Sequence, residues 1–335
     1  MRSQEREGTV RALGGPLFRA TPERSATSGT PHPRYRMTET PRSRGNQGGT
    51  VDHSAPDRYG RGGFFLERSE DMKQYIIEAF ADKLYQGNPA AICFPERWPS
   101  LEEMMAITRE NNLAETSFAV KGDDGWHLRW FSQKNEVDLC GHATLAAADA
   151  VCRFIEPGAE EVTFHTMSGS LMVRRRGELY ELDFPAYTLK KLEVTDAIAD
   201  ALGARPREVW RARDLLCIFD DPKVIEEMHP DLDKLRGLKG ALMQVTAPGG
   251  DTGYDCVSRT FGPKVGMDED PVCGSGHCHI IPYWAAQMGK REFTARQASP
   301  RGGTLYCRLE GDRVFLAGRA ILYAQCELMT EGERA

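Results

Sequence analysis

A short motif of cysteine and glycine occurs twice in the chain, each time directly ahead of an apolar run. Cys-Gly-His at 140–142 precedes the run 145–155, and Cys-Gly-Ser at 273–275, 133 residues later, precedes the run 280–288. Glycines let the backbone approach a ligand closely, and the free N–H groups of a helix N-terminus favour an anion. Two such motifs in matching contexts predict a duplicated fold, with its site between the two halves.

The N-terminal segment differs in composition from the rest of the chain. Residues 1–71 contain 12 Arg, no Lys and 9 acidic residues, a net charge of +3, and their apolar residues follow no period. Such a segment buries too little surface to offset its ordering entropy, so we predict a disordered extension. Three interpretations stay open: a dispensable extension ahead of a natural start at Met72, a tail with an interaction role, or a transit peptide, which the acidic residues disfavour.

The body, residues 72–335, is acidic. It contains 31 Lys plus Arg against 40 Asp plus Glu, a net charge of −9, which disfavours nucleic acid and anionic membranes as partners. No apolar run approaches the ~18 residues of a membrane span, and no secretory signal is visible. We therefore predict a cytoplasmic protein.

The cysteines favour neither disulfides nor a metal. All nine lie in the body, the number is odd, and there is no Cys-x-x-Cys, which disfavours a disulfide framework. Cys273, His277, Cys278 and His279 lie close in sequence, but their spacing matches no common zinc site and a second ligand pair is missing. Gly-x-Gly-x-x-Gly and Walker patterns are also absent, so we infer no nucleotide site.

The body is predicted to consist of short strands around two buried helices, without the alternation of a doubly wound sheet. Ser100 begins a capping box that predicts a helix to about Asn111. The run 141–155 is apolar on nearly every side and is expected to be an enclosed helix. Pro282 lies inside the second buried helix and predicts a kink or a later start.

Four polar residues near these helix starts could carry chemistry, and each also has a structural interpretation. Glu115, if enclosed beside its apolar strand, could take and return a proton near neutral pH, or it is an exposed strand-end residue. His142 is an acid/base group or a helix-terminal hydrogen-bonding residue. Asp270 is part of the site or only forms a turn, and Ser275 could be only an N-cap. Without a Gly-x-Ser-x-Gly elbow, Ser275 is not expected to be a hydrolase nucleophile.

The body resembles the PhzF family of phenazine-biosynthesis-like isomerases, which is related in fold to diaminopimelate epimerase and proline racemase. The resemblance covers nearly all of 72–330. It rests on Gly-Asn-Pro-Ala at 87–90, Ala-Glu-Thr-Ser-Phe at 114–118, Leu-Cys-Gly-His-Ala-Thr at 139–144, Glu-Asp-Pro-Val-Cys-Gly-Ser-Gly-His at 269–277, and Gln-Ala-Ser-Pro-Arg-Gly-Gly at 297–303.

The resemblance implies an α+β fold of two pseudo-symmetric diaminopimelate epimerase-like domains, each a mixed sheet or barrel wrapped around a central helix. We place these domains at 72–188 and 189–330, with the site in the cleft between them. The implied activity is a cofactor-independent isomerisation of a small carboxylate-bearing metabolite. The implied assembly is a homodimer, with neither metal nor organic cofactor.

The resemblance also assigns roles to residues. Glu115 is expected to shuttle the proton, while His142, Asp270 and Ser275 shape the site and form its hydrogen bonds. The residues expected to hold the substrate lie at or near the two helix starts: Asn88, Cys140, Gly141, Cys273, Gly274 and Gly276.

One departure from the family pattern leaves alternatives open. The family often has threonine where this chain has Cys273, whereas its racemase and epimerase relatives use a cysteine at each helix start. Cys140 and Cys273 are therefore either small buried hydrophobes or the two thiols of a racemase. A third possibility is a non-catalytic protein that binds a small molecule in the same cleft.

Overall fold

The computed structural model describes residues 72–329. Their 18 strands are hydrogen-bonded into one network, and the same residues form six α-helices. The predictions about residues 1–71 lie outside the described residues. The strands up to residue 185 are β1 Met72–Ala79, β2 Asn88–Phe94, β3 Glu115–Gly122, β4 Gly125–Phe131, β5 Glu136–Val137, β6 Glu161–Thr166, β7 Gly169–Arg176 and β8 Leu179–Pro185. The strands that follow are β9 Lys190–Leu192, β10 Glu208–Arg211, β11 Leu215–Ile218, β12 Met243–Pro248, β13 Cys256–Gly262, β14 Met267–Asp270, β15 Glu292–Gln297, β16 Gly303–Glu310, β17 Arg313–Gly318 and β18 Ala320–Leu328. The α-helices are α1 Leu101–Asn111, α2 Gly141–Ala150, α3 Asp196–Leu202, α4 Pro222–Glu226, α5 Leu232–Gly237 and α6 Gly274–Met288.

The same strand order occurs twice along the chain. In the first half, β1 and β2 are antiparallel, β2 and β3 parallel, β3 and β4 antiparallel, β4 and β6 parallel, and β6, β7 and β8 antiparallel. The series from β10 to β17 repeats these pairings strand for strand, with β14 in the place of β5. This repetition confirms the predicted duplicated α+β fold.

The two halves are joined through their strands. The last strand of each series pairs with that of the other, β8 with β17, in antiparallel register. The strand that follows each series pairs with the first strand of the other series: β9 pairs with β10, and β18 pairs with β1. The chain therefore closes on itself, with its first described strand hydrogen-bonded to its last.

The two predicted buried helices are α2 and α6. In α2, residues 142–150 are all buried, and ten residues of α6 are buried. Both helices contribute to one hydrophobic core, with Leu145 and Val151 near the first and Ile280 and Ile281 from the second fully enclosed. A helix that is apolar on all sides is stable only when enclosed in this way.

The structure refines the predicted helix ends. The first helix changes to a π-helical turn over Val151–Ile155. The predicted later start of the second helix is wrong, because α6 begins at Gly274 and continues through Pro282. Pro282 has no N–H for the carbonyl of Cys278, and the backbone N–H of Tyr187 donates to that oxygen at 3.0 Å instead. The lost helical bond is thus replaced from outside.

The predicted capping box is confirmed in part. Ser100 Oγ accepts a hydrogen bond from the backbone N–H of Glu103 at 3.1 Å, and α1 ends at Asn111 as predicted. Within residues 72–329, no helix combines the length and the apolar character needed to cross a membrane.

Candidate active site

Three elements of the first half converge at the predicted site. Asn88 begins β2, Glu115 begins the parallel strand β3, and Cys140 directly precedes α2. Because β2 and β3 are parallel neighbours, their first residues lie at the same end of the strand pair. His142, in the first turn of α2, completes the group.

Glu115 and His142 form the first contact of the site. His142 Nε2 lies 3.2 Å from Glu115 Oε2, and the Glu115 side chain is 22% exposed while that of His142 is 8% exposed. Burial lowers the pKa of His142, but the neighbouring Cys140 and Glu115 raise it by more, so the net pKa lies well above its ordinary value. The Glu115 carboxylate beside this imidazole is one that solvent or a ligand can still reach.

Asn88 links this pair to the second half of the chain. Its Nδ2 lies 3.3 Å from His142 Nδ1 and donates to Asp270 Oδ1 at 2.8 Å and to the carbonyl of Val272 at 3.1 Å. Among residues 72–329, the buried Oδ1 of the same amide has no hydrogen-bond partner. One side chain thus fixes the two halves of the site relative to each other.

Asp270 is the buried carboxylate of the site. It ends β14, and its Oδ1 also accepts from the backbone N–H of Val272 at 3.1 Å, so its predicted turn-forming role and its place in the site coexist. Burial raises the pKa of Asp270 to about 6, with the nearby His142 opposing that rise and Glu115 adding to it.

The start of α6 corrects one interpretation of Ser275. The N-cap is Cys273, whose Sγ accepts a hydrogen bond from the backbone N–H of Gly276 at 3.3 Å. Ser275 is the second residue of the helix. Ser275 Oγ instead accepts a hydrogen bond from Arg213 Nη2 at 2.8 Å and lies 3.4 Å from Cys273 Sγ.

Arg213 is a site residue that the sequence analysis missed. It forms two hydrogen bonds with the buried Asp214, at 3.0 and 2.6 Å, and its guanidinium lies over the ring of Tyr187. Arg213 and Asp214 directly precede the buried strand β11, and that position was the signal available in the sequence. A cation held beside Ser275 and a helix N-terminus suits a negatively charged ligand group.

Two buried glutamines support the same helix start. Gln297 Oε1 accepts from the backbone N–H of Cys273 at 2.8 Å, and its Nε2 donates to the carbonyl of Asp270 at 2.6 Å. Gln244 leaves no room beside Gly276, where an added Cβ would lie 2.4 Å from Gln244 Oε1. The predicted glycine at 276 is therefore required by packing. Gly274 and Gly141 meet only ordinary contacts, at 3.6 Å to Leu316 and 3.4 Å to Phe184.

Neither helix-start thiol is activated. Burial raises the pKa of Cys140, which His142 lowers in part. Burial also raises the pKa of Cys273, and the charge of Asp270 raises it further. A thiol acts as a base or nucleophile through its thiolate, so these surroundings favour the inert form of both cysteines.

A cavity of about 520 Å³ lies beside this site on the outer face of β7, β8 and β17, and Leu139 forms part of its wall. Its two arginines already have partners: Arg313 donates to Asp183 at 2.8 Å, and Arg174 donates to Glu161 at 2.9 Å. The cavity therefore lacks the unbalanced charge found near the two helix starts.

Known proteins resemble this chain in both sequence and fold. Residues 77–326 match the PhzC-PhzF family, described as phenazine biosynthesis-like protein. An uncharacterized isomerase of Pseudomonas aeruginosa is 44% identical over 253 residues, covering 76% of this chain and 97% of that protein. The crystal structure of a PhzF family protein from Enterococcus faecalis is 40% identical, with a TM-score of 0.76, covering 78% of this chain and 100% of that one. A hydroxyproline epimerase from Agrobacterium vitis, 11% identical with a TM-score of 0.52 over 77% of this chain and 91% of its own, shares the fold alone.

The fold is the diaminopimelate epimerase-like fold, and the enzyme class is that of the isomerases. Within that class, the chain belongs to the PhzC-PhzF family of phenazine biosynthesis-like proteins. The predicted family, fold class and isomerase activity are thereby confirmed. The domain limits and the roles of individual site residues stay predictions.

Proposed function

We propose that the protein isomerises a small carboxylate-bearing metabolite without a cofactor, with Glu115 as the group that removes and returns the proton. The observation that carries this proposal is the contact of the partly exposed Glu115 carboxylate with His142, 3.2 Å away at the start of α2. A base must be accessible to the substrate and also held in a fixed orientation, and Glu115 meets both conditions. His142 is close enough to exchange a hydrogen bond with the carboxylate as its charge changes.

We infer that the substrate carboxylate binds at the helix N-termini. The N-terminal amides of α2 and α6, together with Ser275 and Arg213, favour the negative charge that develops when carbon loses a proton. Arg213 donates to Ser275 at 2.8 Å, which keeps its guanidinium beside the start of α6. Asp270 and Asn88 hold the two helix starts in register through the 2.8 Å hydrogen bond between them.

A panel of small carboxylates incubated in heavy water tests this proposal, with deuterium uptake at carbon measured by mass spectrometry. Mass spectrometry of ligands that copurify with the protein narrows the panel. Glu115→Gln keeps the shape and removes the base, so uptake and conversion should fall by at least about 100-fold with the unfolding temperature preserved. Undiminished turnover in the folded variant would remove Glu115 from the mechanism.

The two-thiol racemase is tested on the same panel. Cys273→Thr retains a side-chain oxygen that can cap α6, and Cys140→Ser retains a small polar group, so both variants should keep substantial activity. The raised pKa of both thiols supports this expectation. Loss of turnover in both cysteine variants, with Glu115→Gln still active, would favour the racemase.

A non-catalytic binding protein would retain a copurifying ligand and show neither conversion nor deuterium uptake. The homodimer and the cytoplasmic location are further parts of the proposal. Light scattering on the purified chain should give twice the mass of 37.4 kDa.

A further inference from the structure

The second residue of each central helix is contacted from the same place in its half of the chain. His142 is second in α2, and its Nδ1 lies 3.3 Å from Nδ2 of Asn88, which follows the connection between β1 and β2. Ser275 is second in α6, and its Oγ accepts a hydrogen bond at 2.8 Å from Nη2 of Arg213, in the connection between β10 and β11. The two pairs are therefore counterparts in the duplicated fold.

The counterparts differ in chemistry. His142 lies 3.2 Å from the Glu115 carboxylate, and both groups can titrate, whereas a guanidinium keeps its charge and a hydroxyl stays neutral. We propose that the two halves divide the reaction: the first transfers the proton, and the second binds the substrate carboxylate through Arg213, which Asp214 holds in place. This division rests on the proposed function, and it restricts the substrates to carboxylates as opposed to the corresponding amides.

Asp214 fixes the orientation of Arg213. Its carboxylate accepts hydrogen bonds from Arg213 Nε at 3.0 Å and Nη2 at 2.6 Å, a fork that holds the plane of the guanidinium, and the Asp214 side chain is 0% exposed. The backbone N–H of Leu242 donates to the same carboxylate at 3.2 Å, and Gln244 Nε2 lies 3.4 Å from it. The support of the guanidinium is thus itself anchored at the start of β12.

Two stacked rings complete this support. The Arg213 guanidinium lies over the Tyr187 ring, 5.7 Å from its centroid, and that ring stacks on His279 with centroids 4.1 Å apart. His279 Nε2 accepts from the backbone N–H of Asp214 at 3.3 Å, and its Nδ1 donates to the carbonyl of Ser275 at 3.1 Å. One neutral tautomer satisfies both bonds, so the histidine ties the Arg213 connection to the start of α6.

The supported guanidinium remains open to a ligand. The Arg213 side chain is 39% exposed, and its Nη1 takes no part in the hydrogen bonds with Asp214 and Ser275. Beside it lie the Ser275 hydroxyl and the N–H of Gly274, one of the first N–H groups of α6, which have no acceptor within the helix. Because Asp214 offsets the charge of Arg213, selectivity arises from the direction of these donors. They suit the two oxygens of a carboxylate, whereas an amide would turn its own NH₂ donor toward one of them.

Acetate and acetamide are the probes that test this selectivity. They have the same shape, differ in charge and in the NH₂ donor, and are small enough to enter the site whatever the natural substrate is. Each is titrated into the isotope-labelled full chain while the backbone N–H signals of Gly274 and Ser275 are followed by NMR. We expect saturable shifts with acetate and none with acetamide at the same concentrations. Equal responses to both probes, or no saturable response to acetate, would overturn the proposal.

The double variant Arg213→Met with Asp214→Asn removes the ion pair without leaving a buried charge alone. It should weaken acetate binding by about 10-fold or more, the usual contribution of a hydrogen bond to a charged group. The matched control is Arg313→Met with Asp183→Asn, a pair 2.8 Å apart whose side chains are 41% and 43% exposed. The control should bind acetate as the unmodified chain does, and unfolding temperatures show that both variants are folded. Equal affinity in the two double variants would contradict a role for Arg213.

Asp214→Asn alone tests the positioning role. Removing a negative charge by itself strengthens the binding of an anion, so weaker acetate binding in this variant can arise only from lost orientation of Arg213. We expect a several-fold loss of affinity, together with faster solvent exchange of the Arg213 Nε–H signal. In the Arg213→Met background the same change should not weaken binding, because Asp214 then has nothing to position. Equal or tighter acetate binding in Asp214→Asn would overturn the positioning role.

Turnover separates this inference from the proposed function. On a substrate found by deuterium uptake, the double variant Arg213→Met with Asp214→Asn should raise KM more than it lowers kcat, whereas Glu115→Gln should lower kcat and still bind acetate. Failure of the Glu115→Gln exchange test would leave the acetate result standing. Conversely, loss of exchange in Glu115→Gln with acetate binding independent of Arg213 would overturn only the assignment of the carboxylate to the second half.

Discussion

Glu115 and Asp270 are two carboxylates of one site in unlike surroundings. Glu115 faces His142 and remains partly exposed, whereas Asp270 is buried and hydrogen-bonded to Asn88 and Val272. Two acids in environments that differ in this way usually divide the tasks of a site between them. On the proposed function, proton transfer falls to the accessible Glu115 and the positioning of Asn88 to the buried Asp270.

Asp270 gives the site a pH-dependent stability. Its pKa is raised from 3.8 to about 6, so between these values the folded state binds more protons than the unfolded state and stability falls as pH rises. Replacing Asp270 by Asn removes this loss of stability at higher pH. The side-chain oxygen of the asparagine can still accept hydrogen bonds from Asn88 and Val272. Asp270→Asn should stabilise the protein by about 3 kcal/mol at pH 7.5 and have little effect near pH 4, as measured by urea unfolding at both pH values.

The control for this prediction is Asp231→Asn at the cap of α5. Asp231 is exposed and accepts from the backbone N–H of Lys234 at 3.0 Å, and this hydrogen bond is the main cause that lowers its pKa. Its contribution to stability is present above its ordinary pKa and is lost as pH falls, the opposite sign to that of Asp270. Equal stability of Asp270→Asn and the unmodified chain at both pH values would show that burial of Asp270 carries no such penalty.

The start of α6 depends on the absence of a side chain at Gly276. An alanine Cβ there would displace Gln244 Oε1, which accepts from Thr260 Oγ1 at 2.5 Å, while Gln244 Nε2 lies 3.4 Å from Asp214. Overpacking a buried, hydrogen-bonded position costs about 1–3 kcal/mol. Gly276→Ala should lower the free energy of unfolding by that amount in urea titrations.

Gly274→Ala is the matched control, two residues earlier in the same helix. Its Cβ would lie 3.6 Å from Leu316 Cδ1, an ordinary contact, and alanine favours a helix over glycine by up to about 1 kcal/mol. We expect Gly274→Ala to be neutral or stabilising. If both alanine variants lost the same stability, contact with Gln244 would not be the cause.

The two central helices were predictable because an apolar run with a start and an end is a local property of the sequence. The order of the strands was not, since a pattern of apolar residues indicates a strand but does not specify its neighbour. Glu115, His142 and Asp270 were identified through motifs, and the structure brings them together through Asn88. Arg213 lies in a connection without any motif, so only the folded chain shows that it reaches Ser275.

Contacts between residues that are far apart in sequence stabilise the described part of the chain. Besides the pairing of β1 with β18, Arg301 binds the segment around β1 and β2. It donates to the side chain of Glu78 at 2.7 Å and to the carbonyls of Gly87 at 2.9 Å and Gln86 at 3.1 Å. Gly87 directly precedes Asn88, so this contact connects the closure of the sheet to the position of a site residue.

Arg301→Met should destabilise the protein by about 3 kcal/mol, because it leaves the buried carboxylate of Glu78 without its cation. The side chain of Glu78 is 4% exposed, and within residues 72–329 its other hydrogen-bond partner is the backbone N–H of Tyr85, at 2.8 Å. Urea unfolding measures the loss. Deuterium uptake should fall as well, since the backbone ahead of Asn88 loses two of its hydrogen bonds.

A second substitution separates the charge effect from the loss of packing. Glu78→Gln removes the unpaired charge and retains an acceptor for Tyr85, so in the Arg301→Met background it should recover part of the lost stability. In the unmodified chain the same Glu78→Gln change should destabilise, because it breaks the ion pair. The two substitutions are therefore expected to be non-additive by about 1–2 kcal/mol in a double-mutant cycle. Strict additivity would mean that Arg301 supports the fold through its contacts with Gly87 and Gln86 alone, and that the charge of Glu78 has no part in joining the two ends of the chain.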